Sequence, residues 1–244
     1  MKDYPYLYCG TFQQARRDGS KELWLESRRE NIRCKEAVEQ AIRENFDGMY
    51  LKADCAQKVI EGYGFKRVAW VLANTIQQKS WDGRFSTGNR EWAKQTYIPG
   101  DLDSMGLNRN QILTVESHPA VLDGFIIQFR QEVEKLGLFS AKHCEENSSR
   151  MDYEGKVLVL SPDTLRESCW KQEAQLWLAF DGFGCSPTAR GQSVRCVCLS
   201  DGEETGWNRS EFIGVLKEEF LPDWAKKELA EYFSDEMETP EIQL

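Results

Sequence analysis

Histidine is the scarcest chemical resource in this sequence: there are two, His118 and His143. His118 stands in Ser117-His118-Pro119, which reads as a helix entrance because proline is favoured at the first helical position. Ordering that entrance is its expected role, and acting as a base near Asp123 is the alternative. His143 precedes Cys144. A cysteine nucleophile needs an imidazole within hydrogen-bond reach, and side chains of adjacent residues diverge, so the pair is not expected to be catalytic. Asp181-Gly182-Phe183-Gly184 and Gly191 invite comparison with phosphate-binding loops, but the Gly-Lys-Ser/Thr ending and the strand-to-helix context are missing, which leaves a flexible connection. There is no G-x-S-x-G elbow, no H-E-x-x-H pair and no kinase motif set. An enzyme is therefore the less favoured reading, and no cofactor is expected.

Cys185, Cys196 and Cys198, with Cys169 as a fourth, are the best candidates for a metal site, since thiolates suit tetrahedral zinc. Structural zinc sites use knuckles of two to four intervening residues, whereas Cys196-Val197-Cys198 lies in a β-type run that points both sulfurs to one face. Packing as small apolar side chains is the expected role. Three polar and aromatic clusters offer recognition instead. Arg28, Arg29, Asn31 and Arg33 share one helix, where guanidinium forks could engage carboxylate or phosphate or simply form ion pairs in solvent. Asn74 and Gln77 open a stretch of amides running to Trp81 and Arg84, mostly explained as a helix end. Arg190, Arg195, Trp207 and Arg209 combine an aromatic with cations, a set that could hold a nucleic-acid strand or a partner protein.

The elements that must position these groups fall into two kinds. Thr11-Phe12-Gln13-Gln14 has the form of a capping box for a short helix closed by Gly19, and strong helix formers run from Ser20 to Phe46 with an apolar stripe at Cys34, Val38, Ala41 and Ile42. Helices are predicted over 52–61 and 66–79, around Trp92, and after Pro119, where Leu122, Phe125, Ile126, Phe129, Val133 and Leu136 repeat with helical period up to Gly137. Beyond the polar segment Glu145–Ser149 the pattern becomes β: 156–160, 175–180 and 193–199, then Asp201-Gly202 as a hairpin turn into a strand at 204–207. The expected fold is α+β. An N-terminal all-helical domain (1–146) precedes a small antiparallel, barrel-like β-rich domain with a terminal helix (152–234) and an unfolded acidic tail (235–244).

Of the formal charge of −9, −6 lies in residues 216–244, which hold nine acids and three bases. Affinity for phosphate backbones comes from Lys and Arg displacing counterions, so general nucleic-acid coating is disfavoured, while a basic, nucleic-acid-binding protein is a suitable partner. There is no run of eighteen apolar residues and no apolar stretch after Met1-Lys2-Asp3-Tyr4-Pro5, so no membrane association is expected and the cytoplasm is the expected location, with all eight cysteines reduced.

Three stretches occur together: Tyr4–Tyr8 with Glu30–Ala37, Phe46-Asp47-Gly48 with Val71–Gln77, and Ser117–Asp123. They resemble an uncharacterised domain family carried by conjugative elements and phages of gut Gram-positive bacteria. Gly182–Gly191 with Trp207–Ser210 is similar to a module appended to proteins of those elements. The resemblance covers the chain to about Lys227 and carries no established activity. It implies an accessory protein of a mobile element inside a bacterial cell. The expected function is anti-defence inhibition, of the anti-CRISPR or anti-restriction type, through contact with a host nuclease. A nucleic-acid-binding accessory factor is the alternative, and an enzyme of unknown type a third.

Overall fold

A computed structural model describes residues 4–234 and the helical backbone of 235–238, excluding the side chain of Ser168. The chain divides into two compact units, Met1–Lys135 and Leu136–Leu244. Among the described residues no helix is long and apolar enough to cross a membrane.

The first unit is helical. Thr11 Oγ1 accepts the amide of Gln14 and starts α1 (Phe12–Arg17), and Gly19, at φ +71°, turns the chain into α2 (Lys21–Asn45). The buried face of α2 recurs at Trp24, Ser27, Asn31, Cys34, Val38 and Ile42, three or four residues apart. α3 (Cys55–Tyr63) and α4 (Phe65–Gln78) meet at Gly64, whose φ of +82° no β-branched residue would adopt cheaply. α4 contacts α2, α3 and α5 (Thr87–Lys94), and so buries Val68, Trp70, Val71, Leu72, Ala73 and Ile76. α6 (Pro119–Lys135) closes this core with Leu122, Phe125, Ile126 and Phe129.

The second unit is a five-stranded antiparallel sheet of order β4-β3-β2-β1-β5, built from β1 (Val157–Leu160), β2 (Leu176–Asp181), β3 (Ser193–Cys198), β4 (Glu204–Asn208) and β5 (Phe212–Val215). A single 3-10 turn, Arg209–Glu211, links β4 to β5. Alternation along the strands fills two cores. Leu158, Leu160, Trp177, Ala179, Val194, Cys196 and Cys198 enter one; Val159, Leu176, Leu178, Val197 and Leu199 enter the other, with Trp224, Ala225 and Leu229 of α7 (Asp223–Glu238) against them.

The α+β class and the order of helices before strands are as expected. β5 is additional: Gly214 interrupts its short apolar run, although the Asn208–Glu211 capping box marks the turn before it. Two boundaries differ from expectation. The units part at 135/136 rather than after 146, because Phe139 and Cys144 pack in the second core and buried Gln175 binds both the amide and the carbonyl of Phe139. The acidic end expected to be unfolded from 235 is helical to Glu238, since no glycine or proline interrupts it before Pro240; 239–244 lie outside the described residues.

Candidate binding site

On α2, Trp24, Ser27, Arg28 and Asn31 fall at i, i+3, i+4 and i+7 and share one face. Trp70 of α4, Tyr8 and Gly10 of the N-terminal segment, and Pro99, Asn110 and Leu113 complete a pocket of about 280 Å³, counting the space open to solvent. A Cβ at Gly10 would stand 2.7 Å from the Tyr8 ring, so glycine is what lets that ring lie against the backbone. Arg67, 2 % exposed, fixes this wall: its guanidinium donates to Ser27 O, Asn31 Oδ1, Pro5 O and Tyr6 O, while the Tyr8 amide donates to Ser27 Oγ.

Arg28 lies 5.1 Å over the Trp24 ring, Trp24 meets Phe12 edge-on at 4.9 Å, and Arg109 lies 5.0 Å over Phe12, so two cations bracket two aromatic rings. Asp101 pairs with Arg109 at 3.0 Å and accepts the Phe12 amide. Arg28 spends one donor, on the carbonyl of Arg109 at 2.7 Å. Burial lowers its pKa, an effect that nearby Asp101 opposes. Trp70 is 4 % exposed, and its indole N–H is buried with no hydrogen-bond partner.

The structure thus places Arg28 and Asn31 together and leaves the rest of their cluster outside the pocket: Arg29 is exposed, and Arg33 is exposed and paired with Glu30. Asn74 and Gln77 are bracing groups that donate to Asn110 O and to Ala93 O and Thr96 O. Tyr8, Trp24 and Trp70 were not among the sequence candidates. The i, i+4, i+7 spacing of Trp24, Arg28 and Asn31 was the available signal, whereas Trp70 sits in a helix buried nearly all round and shows none.

In the second unit Arg209 is buried, not presented. Its Nη1 donates to Gly184 O and Cys185 O, its Nη2 to Ser149 O and Met151 O, and its guanidinium stacks 3.6 Å from the Tyr153 ring centre. Arg190 and Arg195 are exposed; Arg195 pairs with Asp181 at 3.4 Å and lies 5.3 Å over Phe180. Trp207 is half-buried against Trp177. Gly182 and Gly184 approach the backbone of β3 and the residue before it so closely that a Cβ on either would come within 2.4 Å of Ser193 O or Gln192 O. The glycines therefore serve close packing, and they leave Phe183 79 % exposed between them.

Cys185, Cys196 and Cys198 are buried in the same core, with Cys169 packed against it. Burial pushes their thiols up, Cys185 to about 11 and Cys196 to about 12. Among the described residues no three His, Cys, Asp or Glu side chains form a metal-binding group. His118 is exposed and caps α6 with its carbonyl. Asp123 accepts from Ser86 N, Ser86 Oγ and Asn89 Nδ2 and so holds the start of α5. His143 accepts the Ser140 amide at Nδ1 between the edges of Phe139 and Phe220, and burial lowers its pKa; the Cys144 thiol instead approaches Ser140 O.

No curated protein and no solved structure matches the chain. Residues 7–134 match a family described as "Protein of unknown function (DUF3849)". That span is just over half of the chain and contains every pocket residue from Tyr8 to Leu113. The chain belongs to the DUF3849 family.

Proposed function

We propose that this chain is a binding protein of a mobile genetic element that acts inside the bacterial cell by contact with a host protein, as an inhibitor of a defence nuclease of the restriction or CRISPR type. The observation that supports it is the turn 102–108. Asp103 Oδ1 accepts the amides of Met105 and Leu107, and a bridge between Leu102 and Asn108 closes the turn. Backbone-accepting Asp103 has its pKa lowered chiefly by those amides, so the carboxylate is the form that holds the turn. The turn displays Leu102, Met105 and Leu107 at 54, 77 and 60 % exposure, with Ile112 at 57 % following. Grouped apolar side chains on a fixed loop suit a protein interface, and Met adapts to irregular partners. The acidic charge supports approach to a basic nucleic-acid channel.

The protein is expected to co-elute with a host restriction or CRISPR nuclease, to suppress cleavage by it, and to protect phage or plasmid in cells. The double variant Met105→Asp/Leu107→Asp should weaken the complex about 30-fold or more, the loss typical of a hot spot. Absence of both complex and protection would sink the reading.

The second reading is a nucleic-acid accessory factor. It is favoured by exposed Phe183 in a unit that also exposes Arg190 and Arg195, a stacking ring with cations. It predicts binding of single-stranded DNA that falls with salt and weakens in Arg190→Gln/Arg195→Gln. Flat titrations at low salt would dismiss it.

A further inference from the structure

The antiparallel sheet ends on β4, and that edge is open. The amide of Cys198 donates to Glu203 O and the amide of Arg209 to Gln192 O, which fixes the parity of the β3–β4 ladder: Glu203, Thr205, Trp207 and Arg209 bond β3. Glu204, Gly206 and Asn208 therefore turn their backbone groups away from the sheet. The Asn208 amide is taken by Glu211 Oε2 at 2.6 Å, whereas the N–H and C=O groups of Glu204 and Gly206 have no partner among the described residues. The opposite edge is covered, since Glu145 N donates to Val215 O and Cys144 bridges to Leu216. Gly206 adds an independent observation. Its φ is not positive, and a Cβ built there would meet Ser193 Oγ at 3.4 Å and Val194 O at 4.0 Å, both ordinary contacts, so the folded chain does not require glycine at this position. A glycine inside a strand weakens it and often marks a place where another backbone approaches closely. Glu204 and Gly206 are both exposed, and Glu204 pairs with no cation among the described residues.

We propose that a second copy of this chain pairs with β4 in antiparallel fashion, Glu204 opposite Gly206 and Gly206 opposite Glu204, so that the sheet continues across a two-fold dimer. In this register every free backbone group of Glu204 and Gly206 on one edge meets its complement on the other. Registers shifted by two residues fail. One sets Glu204 against Glu204, where like charges directly opposite are destabilising, and the other needs the Asn208 amide that Glu211 already holds. Thr205 faces Thr205 across the axis, a favourable cross-strand pair. Arg195, opposite Gly206 on β3, supplies the charge complement. Residues paired across strands share a face, so the Glu204 carboxylate reaches over Gly206 of the second copy to Arg195 behind it, two strand spacings or about 10 Å away between backbones. A side chain at 206 would stand in that path. In the single chain Arg195 is exposed and holds equally exposed Asp181 at 3.4 Å. An unrelated strand would use the backbone groups, but β4 itself brings a glycine opposite Glu204 with an arginine behind it. A five-residue strand buries less than the about 800 Å² per partner of a standard interface, so the dimer is weak, with a Kd of about 10–100 μM. The inference rests on neither functional reading, and its test contains no nucleic acid and no host protein.

Sedimentation equilibrium of the full chain from about 5 to about 500 μM is expected to show monomer passing to dimer. Hydrogen exchange read by nitrogen-15 NMR should slow at the Glu204 and Gly206 amides at the concentrated end and stay unchanged at Asn208. Glu204→Arg and Arg195→Glu should each weaken the dimer about tenfold, and the two together should restore it, because the charges are exchanged. Gly206→Glu, for whose Cβ there is room, sets a carboxylate against Glu204 of the second copy and should remove the dimer across the range. Melting temperatures at the dilute end, equal to that of the unaltered chain, confirm that the variants fold. A chain monomeric throughout, a dimer insensitive to the charge exchange, exchange slowed elsewhere but not at Glu204 and Gly206, or slowing of those two amides in a chain that stays monomeric would each overturn the assignment.

Discussion

Replacing Arg67 by Met is expected to lower the stability of the helical unit by about 4 kcal/mol, a large share of what a domain of this size possesses. The guanidinium is almost fully buried and serves four acceptors: the carbonyls of Pro5, Tyr6 and Ser27 and the side-chain oxygen of Asn31. Met fills much of the volume but donates nothing, so the buried Ser27 carbonyl and Asn31 side-chain oxygen are left unpaired, at a cost of about 1–3 kcal/mol each before relaxation, and the part-buried carbonyls of Pro5 and Tyr6 lose their anchor. Lys fares little better, since a single nitrogen cannot reproduce the planar fork. The N-terminal segment should loosen first, because two of the four bonds hold it, and with it goes the Tyr8 wall of the pocket. Urea unfolding followed by far-ultraviolet circular dichroism measures the loss, and limited proteolysis between residues 4 and 10 reports the detachment. An unchanged unfolding midpoint with unchanged proteolysis would show that Arg67 is not the clamp.

Arg67 also shows where sequence reading reaches its limit. Periodicity placed the long helices: the stripe of α2 and the Leu122-to-Phe129 face of α6 are visible because apolar side chains must recur every three or four residues to stay against one core. The strands β1 to β4 were visible as short β-branched and aromatic runs between turn residues. What stays hidden is which polar residues are inside. Arg67 and Arg209 read like any surface arginine until the carbonyls around them are known, and those carbonyls come from residues distant in sequence, such as Pro5 and Ser149. The pocket was half legible for the same reason. Arg28 and Asn31 lie on one helix with Trp24 and announce themselves by spacing, whereas Tyr8 and Trp70 arrive from two other segments. The apolar turn at 102–108 carried only the mark of a Gly- and Asp-containing loop, since exposure of Met105 and Leu107 depends on how Asp103 ties the backbone.

Arg209 provides the second large effect, and it distinguishes a strut from a recognition residue. Arg209→Ala should destabilise the β-rich unit by about 4 kcal/mol and lower its melting temperature by about 15 °C or more. Its two terminal nitrogens hold four carbonyls from two separate segments, 149–151 and 184–185, and its plane covers the Tyr153 ring. The 184–185 pair lies in the loop that presents Phe183, so removing the guanidinium frees that loop as well as the segment leading into β1. Arg209→Lys should recover only a small part, because an ammonium can reach one pair of carbonyls and not both. A contact residue for nucleic acid behaves in the opposite way: its removal weakens binding uniformly and lowers the salt slope while the melting temperature stays put. Calorimetry of Arg209→Ala beside Arg195→Gln separates the two. Loss of stability confined to Arg209→Ala identifies it as the clamp of the sheet, and a melting temperature equal to that of the unaltered chain would return Arg209 to the surface.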